Sequence, residues 1–202
     1  TINVSGKIGN GSYSGAIANS GTFVMSSSTA HTLSGAISGS GGITKSGSGN
    51  LTLSGSNNFT GTITLSNGTL IGASDNALGS APTIAASNSP TFQTSSSSIT
   101  LPSLTVTGEI NLTSDIITTG AQSYSAATTI GASSGSAITV RTTNSNITFS
   151  DDVKLYQNTT INSGSGGGTI TFGGDMYTHN SASAERNLIV NAGTGDVTFS
   201  GS

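Results

Sequence analysis

The chain is 202 residues long, carries only 5 Lys+Arg against 8 Asp+Glu, and has no Cys and no Trp. A net charge of −3 excludes an electrostatic nucleic-acid binder, which needs a basic stripe. Charge this sparse, with only 3 Pro, also fails to fit the disordered class, which pairs low hydrophobicity with high net charge and abundant Pro.

In chain order, Thr1-Ile2-Asn3-Val4 opens directly on strand letters, with no signal-peptide pattern before it. Ser14-Gly15-Ala16-Ile17 recurs as Ser34-Gly35-Ala36-Ile37, and Ser54-Gly55 falls twenty positions further on. A period of twenty is too short for a helical repeat and suits one coil of a stacked β-solenoid. Leu51-Thr52-Leu53, Ile63-Thr64-Leu65 and Leu104-Thr105-Val106 alternate at i, i+2, the strand period. Gly, Asn and Ser punctuate turns between them.

The second half repeats with a longer step. Ile147-Thr148-Phe149 returns as Ile170-Thr171-Phe172 and again as Val197-Thr198-Phe199. Thr160-Ile161-Asn162-Ser163-Gly164 parallels Ile189-Val190-Asn191-Ala192-Gly193 in the same way. Ala182-Ser183-Ala184-Glu185-Arg186 reads as a loop bulging from a coil. Coils of about 20–27 residues predict roughly eight or nine turns, a rod about 40 Å long at ~4.8 Å per turn. Each coil supplies too few apolar side chains for a core, and stacking makes them continuous. No apolar run approaches the ~18 residues that span a bilayer as a helix, so no membrane insertion of this segment is expected.

The run from Gly39 through Leu51-Thr52-Leu53-Ser54-Gly55-Ser56-Asn57-Asn58-Phe59-Thr60-Gly61 to Gly68-Thr69-Leu70 resembles the passenger-associated repeat of bacterial autotransporters. Its pattern is a glycine-rich turn, Leu-x-Leu-x-Gly-x-Asn-x-aromatic-x-Gly, then a β-run ending in Gly-x-Leu. Residues 104–202 are similar in texture to filamentous-haemagglutinin-like exoproteins, through runs such as Thr118-Thr119-Gly120-Ala121-Gln122-Ser123-Tyr124 and Asn191-Ala192-Gly193-Thr194-Gly195-Asp196. Both resemblances imply a β-helix on the outer surface of a Gram-negative cell, delivered by type V secretion. The predicted fold is therefore all-β, a right-handed parallel β-helix. It forms one segment over 1–202, with autotransporter-like coils in 1–100 and haemagglutinin-like coils in 101–202. The strand letters at both ends lead us to expect continuation into further coils of a parent chain, or copies stacked end to end.

The residues singled out are structural: Gly35, Leu51, Leu53, Gly55, Asn57, Phe59 and Gly61 for the first coils, and Phe149, Phe172 and Phe199 as an internal stack. The strongest catalytic constellation is Asp152 with Asp175, which occupy the same place in aligned coils, near the separation used by retaining glycosidases. A turn role is preferred for the pair, since Asp commonly accepts backbone N–H groups in turns. A calcium bridge and catalysis are the lesser readings. His31 and His179 have no metal-ligand spacing around them and are placed at solvated positions. Asn57, Asn58, Asn67, Asn76, Asn146 and Asn162 flank turns, in left-handed geometry or in hydrogen-bonded ladders. No catalytic site, metal or cofactor is expected. The leading functional reading is a structural or adhesive rod. The second is a module for host or surface glycans using Tyr13, Tyr124, Tyr156 or Tyr177, and the third a carbohydrate-active enzyme.

Overall fold

The computed structural model describes residues 1–80, 82–132, 135–178 and 186–201. Among them the chain forms short strands of two to five residues and one 3-10 turn at Gly9–Gly11, and every strand pairing is parallel. The path is a coil that visits each face in turn. Leu104–Thr107 lies on the first face, Ile110–Leu112 on the second and Ile116–Thr118 on the third, and Gln122–Tyr124 then pairs back onto Leu104–Val106.

The first face is a ten-stranded sheet from Ile2–Val4 to Val197–Phe199, and the second a nine-stranded sheet from Ser12–Tyr13 to Met176–Thr178. The third face changes along the rod. It begins as Ile17–Ala18 paired with Ile37–Ser38, and from Thr100–Leu101 it becomes a five-stranded sheet ending at Leu188–Asn191. The only long apolar dimension is the rod axis, so the core is a set of columns. On the first face Phe23, Ile43, Ile63, Ile84, Val106, Tyr124, Phe149 and Phe172 stand one above the next, all buried. On the second, Leu51, Leu70, Phe92, Leu112, Ile130 and Leu155 do the same. Each buried Leu, Ile or Phe is worth about 1.5–3 kcal/mol relative to exposure. Alternate residues face out, and there Thr and Ser fit the pleat.

Coil lengths read from paired residues run from 17, between Leu101 and Thr118 on the third face (18 between Val106 and Tyr124 on the first), to 29, between Thr159 and Leu188. The range of 20–27 read from the sequence is therefore too narrow at both ends. The short coil packs three strands joined by turns of two or three residues, the first entered through Gly108 at φ 105°. Gly35 and Gly55 are required for a different reason. A Cβ at Gly55 would overlap the carbonyl of Gly35, and one at Gly35 the carbonyl of Gly15. The twenty-residue glycine register is a line of backbone-to-backbone approach.

Candidate functional site

The segment Leu51–Gly61 shows how local sequence becomes a fixed coil. Leu51 and Leu53 point into the core from the second face, and Phe59 fills it after the following turn, all buried. Between them Asn57 is buried and reaches two neighbouring coils. Its Oδ1 accepts the N–H of Ile37 at 2.8 Å, and its Nδ2 donates to the carbonyl of Ala77 at 2.6 Å. One amide satisfies a donor below and an acceptor above, through its separate oxygen and nitrogen. Gly61 completes the turn against Gly41, where a Cβ would again overlap the carbonyl.

Lys45 was not singled out from the sequence. It stands in the interior column between Met25 and Leu65 and is 1% exposed. Its Nζ donates to the carbonyls of Gly47 and, at 3.0 Å, Asn67. Burial pushes its pKa down, since desolvation disfavours the charged form. The signal was present in Ile43-Thr44-Lys45, where alternation places Lys45 on the same side as Ile43.

The aromatic column is four members long. Tyr124–Phe149, Phe149–Phe172 and Phe172–Phe199 have ring centroids 4.9, 5.5 and 4.8 Å apart and nearly parallel planes. Phe199 closes the stack with one side open, 60% exposed. Tyr124, offered above as an exposed sugar platform, is instead fully buried, because its place in the column is set by pairing with Val106 and Phe149. Its hydroxyl donates to Gln122 Oε1 at 2.7 Å, and burial drives its pKa upward. Of the other tyrosines, Tyr13 is partly buried, Tyr156 lies partly buried beneath the Lys154 ammonium, and Tyr177 is exposed.

Four of the carboxylates accept backbone N–H groups, and Glu109 accepts the Ser89 hydroxyl. Asp152 Oδ1 accepts the N–H of Asp175 at 2.9 Å, and Asp151 Oδ1 that of Asp152 at 2.8 Å. Asp75 and Asp115 accept the N–H of Thr100 and Thr139, one coil further on. Asn146 and Asn158 do the same for Thr169 and Asn187. A side-chain oxygen in one coil thus caps an N–H in the next, at turns and at the starts of third-face strands such as Thr100–Leu101 and Ile138–Thr142. No group of three or more His, Cys, Asp and Glu able to hold a metal occurs among the described residues.

His31 is buried rather than solvated. It occupies the column below Leu51, its Nε2 accepts the N–H of Ile8 at 3.3 Å, and its Nδ1 lies 3.0 Å from the carbonyl of Thr29. His179, and residues 182–185 of the loop read from the sequence, lie outside the described residues. Among the described residues the left-handed asparagines are Asn10, Asn88 and Asn144. Asn57, Asn67, Asn146 and Asn162 act through their side chains instead.

Among the described residues no helix is long and apolar enough to cross a membrane. Residues 43–71 match the passenger-associated-transport-repeat family. The matched stretch contains Lys45, the Leu51–Gly61 coil and its Asn57 clamp. That repeat, in a parallel β-solenoid, fits the β-helix of an autotransporter passenger and a structural rod of that kind. No curated protein and no solved structure gives a significant match.

Proposed function

We propose that this chain is a non-catalytic rod in a secreted passenger at the surface of a Gram-negative cell, where it carries or contributes to adhesion. The observation that supports this best is the uninterrupted parallel stacking of the first face over ten strands. Asp75, Asp115 and Asp152 are engaged as caps for backbone N–H groups one coil away. A catalytic carboxylate must be free to exchange protons with a substrate, and Asp152 is occupied by the neighbouring turn. The rod's partners in this reading are further coils of a parent chain, or copies end to end, and surface glycans.

The test is surface display in the source organism. Antibody raised against the chain should label intact cells, and external protease should remove the label without lysis. Signal only after permeabilisation would refute the location. Depolymerisation of a polysaccharide by the purified chain, lost on Asp175→Asn, would refute the non-catalytic reading.

A further inference from the structure

On the third face, Arg141, Asn162 and Asn191 stand in register in three successive coils and point outward. They line an open cleft of about 410 Å³ whose walls include Thr143, Asn144 and Ser165. No carboxylate among the described residues lines it.

The cleft presents donors. Asn144 Oδ1 accepts the N–H of Gly166 at 2.7 Å, Asn162 Oδ1 that of Gly164 at 2.8 Å, and Asn191 Oδ1 that of Gly193 at 2.9 Å. These bonds fix which way each amide faces, because only the oxygen can accept. The three Nδ2 groups have no hydrogen-bond partner among the described residues, and the Arg141 guanidinium there has neither hydrogen bond nor ion pair. A planar guanidinium with free N–H groups is matched by a carboxylate or another oxyanion that can take two of them at once.

The floor is held from inside. Buried Gln122 donates from Nε2 to the Arg141 carbonyl at 2.8 Å. Buried Thr142 donates its one hydroxyl proton to the carbonyl of Ser145 at 2.5 Å, with that of Ser163 3.3 Å away, and buried Ser163 donates to that of Gly168 at 2.5 Å. Donors supported in this way are ordered before a ligand arrives, which reduces the entropy lost on binding.

We infer that this cleft binds an acidic oligosaccharide, with an oxyanion on Arg141 and sugar oxygens on the amides of Asn162 and Asn191. A single small anion would need only the guanidinium. The amides repeat along the axis at the ~4.8 Å coil step, which suits an extended polyhydroxylated chain laid along the rod. This inference rests on the glycan partner of the proposed reading and names its class; its failure would leave the rod standing, since a rod needs no ligand.

The oxyanion can be a uronate carboxylate or a sulfate ester, and titration calorimetry in low-salt buffer distinguishes them. The probes are trigalacturonate, a heparin-derived tetrasaccharide and neutral maltotriose, each added to the full chain. Binding of either acidic probe, or both, is expected, with added salt weakening it. Arg141→Gln should weaken it about tenfold or more, as loss of a charge-assisted pair requires. Asn191→Ala should weaken it severalfold with the circular dichroism spectrum unchanged. Absence of binding by both acidic probes, equal binding by maltotriose, or undiminished binding by a folded Arg141→Gln chain would overturn the inference.

Discussion

Replacing Asn57 by Ala tests whether the repeat motif works through a three-coil clamp. The wild-type amide satisfies the N–H of Ile37 and the carbonyl of Ala77, at a position only 3% exposed. Removing it leaves one buried donor and one buried acceptor without partners, at about 1–3 kcal/mol each. Water entering the vacated space would relieve part of that, so the expected loss is about 3 kcal/mol. Asn57→Asp should cost at least as much. Its carboxylate can still accept from Ile37, but it sets a negative oxygen against the Ala77 carbonyl where a donor stood. Denaturant unfolding followed by circular dichroism measures the total. Amide hydrogen exchange then localises the effect, because in a stacked repeat openings can be confined to neighbouring coils. The Ile37 amide should lose protection, while that of Phe149, many coils away, should keep its own. A change under about 0.5 kcal/mol, or an Ile37 amide that exchanges as in wild type, would refute the clamp, since surface substitutions give changes of that size.

Two further outcomes follow from close approach and from burial of charge. Gly55→Ala should be severely destabilising, because its Cβ would overlap the Gly35 carbonyl, whereas at Gly72 the nearest atom, Ala77 Cβ, is 3.6 Å away and Ala should be tolerated; comparing the two melting temperatures checks this. Lys45 has its pKa depressed by desolvation below its ordinary 10.5. Between those values the unfolded chain holds a proton that the folded chain has released, so stability should rise with pH through that window. The difference in unfolding free energy between wild type and Lys45→Met, followed from neutral pH to about 10.5, should show that rise in the wild type alone.

The division between sequence and structure follows from what each kind of pattern encodes. Alternation at i, i+2 states which side of a strand a residue takes, so Leu51, Leu53, Ile63 and Leu65 were legible as inward. Lys45 was legible by the same rule, though a charged letter conceals it. Repetition of a short phrase states register where coil lengths are constant, which is why the Gly35–Gly55 line and the Phe149–Phe172 pair could be read. Alternation does not record how many residues the turns consume. The 18-residue coil ending at Tyr124, and the column joining Tyr124 to Phe149, were therefore decided by three-dimensional pairing. His31 was legible by alternation too, on the same side as Leu33, but its partners Leu51 and Ile8 come from other coils and were set by the pairing. The donor-lined cleft lies furthest from the sequence. Arg141, Asn162 and Asn191 are 21 and 29 positions apart and belong to no shared motif. Backbone pairing across coils ~4.8 Å apart is what brings the three together.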